Sequence, residues 1–122
     1  MDFTLDPAID DVRRRVRRFV DERLIPLEAD RANYDEHENV REDVLAGMRA
    51  QARAEGLWAL QMPKARGGGG LSFVGMAACY ETMNESIFGP ACFNCAPPDD
   101  GNMMLLAKVG TPAQQARWLA PI

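Results

Sequence analysis

An all-α fold, an antiparallel bundle of about four to six helices, is what this 122-residue sequence predicts. Three observations carry that prediction. Apolar residues recur at spacings of three and four along five separate segments. Helix-capping residues stand at the starts of those segments, and glycine or proline stands at their ends. Alternating strand patterns are nearly absent, and no internal repeat is visible.

The first segment runs from Pro7 to about Ile25, with Asp6 as N-cap and Pro7 at the first helical position. Ile9, Val12, Val16, Phe19 and Val20 form its apolar stripe, arginines cover the rest, and Pro26 is expected to stop it. Leu27 to Asn39 is polar and aperiodic, as in a loop containing a short helical turn. A second helix covers about Val40 to Glu55, with Val40, Val44, Leu45, Met48 and Ala52 on one face and Gly56 as its stop. Leu57 to Leu60 is a short apolar linker, followed by the glycine-rich loop Met62 to Leu71. Ser72 reads as the N-cap of a third helix to about Ser86, with Phe73, Met76, Ala77, Tyr80 and Met83 as its face. Ile87 to Pro98 is apolar but broken by prolines, which predicts an extended, buried connection. A fourth helix from about Gly101 to Val109 is capped by Asp99 or Asp100 and ended by Gly110. Thr111-Pro112-Ala113-Gln114 is a capping box that opens a last helix carrying Trp118 and Leu119.

Composition fits one domain, residues 1–122, with 47% hydrophobic and 26% charged residues. No window approaches the roughly 18 apolar residues that a membrane span needs. The opening Met1 to Asp6 lacks the basic-then-apolar order of a secretory signal, so a cytoplasmic location is expected. Net charge is −4, which gives no overall attraction to nucleic acid or anionic lipid. Locally, Arg13, Arg14, Arg15, Arg17 and Arg18 crowd the first helix. Asp10, Asp11, Asp21 and Glu22 flank them and no aromatic residues interleave, so a solvated face or an interface with another domain or subunit is expected.

The three cysteines suggest reduced thiols. Cys92 and Cys95 form a C-x-x-C, but prolines surround it. A zinc site would have to recruit Cys79 and His37 from distant segments, so structural thiols and no metal are expected. His37 sits on a polar stretch and is assigned no role. The run Gly67 to Gly70 lacks the Gly-Lys-Ser/Thr ending of a phosphate loop and follows no strand, so it reads as a tight crossing between helices. No catalytic or cofactor-binding residue can be assembled from motifs in this chain.

Three stretches nevertheless resemble the N-terminal domain of the acyl-CoA dehydrogenase family, in order and at the right separations. Met62-Pro63 through Gly67-Gly68-Gly69-Gly70-Leu71-Ser72 is similar to the family's proline and Gly-Gly-x-Gly-Leu loop. Phe93-Asn94-Cys95-Ala96-Pro97-Pro98-Asp99-Asp100-Gly101-Asn102-Met103 resembles a stretch found in one long-chain-type branch. Gly110-Thr111-Pro112-Ala113-Gln114 through Trp118-Leu119-Ala120-Pro121-Ile122 resembles a helix found almost throughout the family.

The resemblance implies an FAD enzyme that oxidises the Cα–Cβ bond of acyl-CoA thioesters, working as a homo-oligomer. Its glutamate base belongs to a C-terminal helical domain and its main flavin-binding motif to a middle β domain, so this chain alone is expected to be inactive and to retain no FAD. Within the N-terminal domain the resemblance places part of the acyl-chain cavity wall at Phe93, Asn94 and Pro97, and apolar residues near Ile87, Phe88 and Phe93 are expected to face the other domains. The competing reading is a free-standing helical interaction module, which would carry a polar surface where an enzyme domain exposes apolar residues.

Overall fold

The computed structural model describes residues 4–122, and Met1 to Phe3 of the opening stretch lie outside them. Six helices account for 64% of the structure, with no strand among the described residues. The all-α expectation is therefore met.

Helix α1 joins three stretches, Pro7–Phe19, a π turn at Val20–Leu24, and Ile25–Ala29. Asp6 caps it by accepting the Ala8 N–H at 2.8 Å. Val16, Phe19, Val20 and Leu24 bury its stripe. Pro26 does not stop this helix, contrary to expectation. Proline has no N–H, and its ring would press on the carbonyl four residues back in an ordinary α-helix. The turn ahead of it is widened, with the Ile25 N–H reaching back to the Val20 carbonyl, and the proline is carried inside the helix.

The loop that follows holds a short 3₁₀ turn, Arg31–Asn33, and an antiparallel bridge between Tyr34 and Val40. Asp35 organises its tip by accepting the N–H groups of His37 and Asn39. Helix α2, Glu42–Ala54, buries Leu45 and Ala52. It ends at Gly56 with φ +68°, where the Leu57 N–H returns to the Ala52 carbonyl at 2.8 Å.

Helix α3, Phe73–Met83, is capped by Ser72, whose Oγ accepts the Gly75 N–H at 3.2 Å. Its buried positions are Gly75, Met76, Cys79, Thr82 and Met83. The sequence-derived face is therefore partly corrected, because Phe73 is 92% exposed and Ala77 is also exposed. A helix rich in apolar residues on most sides leaves its phase to the neighbours it meets.

Residues 87–98 are buried over much of their length but not extended. Gly89–Cys92 forms a short helix, α4, with Pro90 in its first turn, where a missing N–H costs nothing. Helix α5, Asp99–Val109, has both aspartates inside its first turn rather than at the cap. There they meet the positive end of the helix, and Asp100 accepts the Gly101 N–H at 2.7 Å. The last helix, α6, joins Pro112–Gln114 to a second π turn, Gln115–Leu119. Its capping box is complete, Thr111 Oγ1 accepting from Gln114 N–H at 3.3 Å and Gln114 Oε1 accepting from Thr111 N–H at 2.8 Å.

Helix α1 packs along α3, α2 meets α4, and α5 pairs with α6. One large core gathers Val16, Phe19, Leu24, Leu57, Leu60, Met83, Phe88 and Phe93. A smaller cluster of Ala59, Met62 and Met103 lies under Trp58, Leu119 and Ile122.

Candidate functional site

Segment 93–97 leaves α4 and turns at Asn94, a non-glycine residue with φ +54°. Phe93 is fully buried, its ring edge-on to Phe19 at 5.2 Å. Its carbonyl accepts the Ala59 N–H at 2.8 Å, which ties the segment to the linker after α2. Asn94 is buried too, and its Nδ2 donates to the Ile122 carbonyl at 3.2 Å. Its own carbonyl accepts from Gln61 Nε2 at 2.9 Å. Pro97 is exposed. The three residues thus share a segment without sharing a surface, since Phe93 points into the core and Asn94 into a groove beside Ile122.

Gln61 was invisible as a functional residue in the sequence. It holds both neighbours in the turn, donating to the Asn94 carbonyl and accepting the Cys95 thiol at 3.0 Å. The contact spans more than thirty residues, and no local motif announces it. Tyr80 fixes the same turn from α3 by donating to the Cys95 carbonyl at 2.8 Å. Burial pushes its phenol up to about 12, helped by the neighbouring Cys95 and Asp100.

The glycine run is a crossing, as expected. Its N–H groups are spent inside the loop: Gly67 donates to Lys64, Gly68 to Pro63, Gly69 to Ala59 and Gly70 to Met62. None is left to converge on a phosphate.

The arginine row is largely committed to partners of its own chain. Arg13 and Arg14 pair with Asp10, Arg17 with Glu85 and Asp21, and Arg15 donates to the Glu55 carbonyl. Two of these bonds tie α1 to residues just after α2 and α3, Glu55 and Glu85, and the others lie within α1.

Cys79, Cys92 and Cys95 are free and buried. Among the described residues no group of three potential ligands could hold a metal. Burial pushes the Cys92 and Cys95 thiols up to about 12, from 9.0. Below pH 9 both states hold these thiols neutral, so they contribute no pH dependence there. As pH rises from 9 towards 12 the unfolded chain ionises first and stability is lost. Urea titrations across that window should show the midpoint falling, less steeply in Cys92→Ala. A thiol reagent at neutral pH should label these cysteines only as the chain unfolds.

Apolar exposure differs from the sequence expectation. Phe88 and Phe93 are buried, each taken by an aromatic partner, Tyr34 and Phe19. Ile87 is exposed as expected, at 71%. The other large exposed apolar side chains include Phe73, Val74, Leu105, Val109 and Trp118.

The family model "Acyl-CoA dehydrogenase, N-terminal domain" matches residues 6–122, and the chain belongs to that family. It is 32% identical to Acyl-CoA dehydrogenase family member 10 of Mus musculus over 97% of its length, covering 12% of that protein. It is 35% identical to Acyl-CoA dehydrogenase family member 11 of Rattus norvegicus over 92% of its length, covering 15% of that protein. A solved structure from Mycobacterium abscessus, described as an acyl-CoA dehydrogenase, superposes with a TM-score of 0.83 at 35% identity. That match covers 98% of this chain and 32% of the other.

Proposed function

We propose that this chain serves as the N-terminal helical domain of a cytoplasmic, homo-oligomeric, FAD-dependent enzyme that oxidises acyl-CoA thioesters between Cα and Cβ. The observation that carries the reading is the family match along residues 6–122. Segment 93–97 contributes to the acyl-chain wall: Phe93 supports it from the core, Asn94 and Gln61 fix its turn, and Pro97 stands at its exposed edge. The N–H groups of Gly67 to Gly70 are spent on the chain's own carbonyls, so the glycine loop offers none to a flavin pyrophosphate. Flavin and catalytic base are assigned to the middle β and C-terminal domains that the resemblance implies. Exposed Phe73, Leu105, Val109 and Trp118 support a domain that meets neighbours over a free-standing module.

Joining this chain to the middle and C-terminal domains of the Mycobacterium abscessus relative tests the reading. The chain alone should purify colourless and reduce no dye with acyl-CoA, whereas the joined protein should be yellow and active. Stoichiometric FAD on the chain alone would overturn the proposal, and so would a flavin-loaded fusion without acyl-CoA-dependent turnover.

A further inference from the structure

We infer that the cavity between α3 and the first turns of α5 binds a small primary alkylammonium ion, its head group on Asp100 and its chain on Met76 and Met104. The cavity holds about 370 Å³ and shares no lining residue with the groove beside Ile122. Tyr80 on α3 and Asp100 on α5 meet at its polar end, the hydroxyl 3.4 Å from Oδ2. Met76 and Met104 each stand four residues from that pair on its own helix, so they share its face one turn further along. Leu71 completes the apolar part.

Charge and donor count select the ligand. Asp100 is half-buried, its Oδ1 accepting the Gly101 N–H at 2.7 Å. No guanidinium or ammonium lies within 4 Å of it among the described residues. Tyr80 has a single O–H, and the Cys95 carbonyl receives it at the shorter distance of 2.8 Å. A carboxylate only accepts, and a phenol whose proton is spent accepts as well, so this end of the cavity lacks donors. An alkylammonium brings three N–H donors together with the opposite charge. The start of α5 sets roughly half a positive charge against such a cation. Asp99 and Asp100, both in that first turn, exceed it. The net charge of −4 likewise favours a cation over an anion. Thioethers adapt to a flexible aliphatic chain, and the volume lies at the low end of small-ligand cavities, too small for a folded partner.

The test is a titration of the 122-residue chain, labelled with ¹³C at its methionine methyl groups, with hexylammonium chloride. Binding is read on the chain itself, so the outcome is independent of acyl-CoA turnover. The Met76 and Met104 resonances should move saturably, while that of Met48, on α2 and outside this lining, should stay in place. Hexanol, of equal length but uncharged, should bind about tenfold more weakly or worse, and hexanoate should not compete. Asp100→Asn keeps an oxygen for the Gly101 N–H and should weaken hexylammonium about tenfold or more. Asp99→Asn removes a carboxylate that lines the other groove and should change affinity no more than about twofold. Unmoved Met76 and Met104 resonances would overturn the proposal. So would parent-like affinity in Asp100→Asn, hexanol or hexanoate binding as tightly as hexylammonium, or a Met48 shift as large as that of Met104.

Discussion

Gly68→Ala is expected to destabilise the chain by about 3 kcal/mol or more, enough to remove much of the stability of an ordinary domain. A methyl group there would run into the backbone carbonyls of Met62 and Ala59. Those carbonyls cannot move aside cheaply, because Gly69 and Gly70 donate to them at 3.2 and 2.8 Å. Gly47, inside α2, is the contrast, since an added methyl meets nothing within 4 Å. Gly47→Ala should stabilise the helix by roughly 0.5–1 kcal/mol. Denaturant midpoints of the two variants should move in opposite directions. A Gly68→Ala midpoint equal to that of the parent would show that the crossing is looser than its hydrogen bonds imply.

Phe93→Ala should cost about 3–5 kcal/mol, the usual range for emptying a buried aromatic site. The ring is fully enclosed and edge-on to Phe19, so truncation leaves a cavity and removes an aromatic pair. Its backbone also holds the linker after α2, so local disorder at Ala59 should accompany the loss. Pro97→Ala, at an exposed position of the same segment, should change stability far less. Comparable losses from the two would mean that the segment's backbone dominates, with the Phe93 side chain secondary.

Much of the fold was legible in the sequence because its punctuation is local. Ser72 and Thr111 cap helices through bonds to residues three positions on, and Gly56 ends one through its own φ. What was misread depended on distant partners or on neighbours outside the segment. Pro26 looked like a stop because its tolerance rests on a widened turn that no residue type encodes. Residues 87–98 looked extended because their prolines obscured the short turn that Pro90 itself permits. The candidate wall segment was visible as a motif, but Gln61, Trp58 and Ile122, which surround Asn94, become its neighbours only through packing.

The π turn in α1 also bears on how this helix tolerates insertion and deletion. A π turn is an α-helix that has absorbed one extra residue. Removing a residue between Val20 and Leu24 would restore the narrower turn and leave everything downstream facing the way it does now. Glu28 now lies in that downstream stretch, receiving the Ser86 hydroxyl and the Ile87 N–H while its own carbonyl accepts from Tyr34. After such a deletion Glu28 would still face these three partners, but Pro26 would meet the carbonyl it now avoids. Relatives that lack the extra residue should therefore also lack the proline, so that sequence length and sequence identity change in concert at this one helical turn.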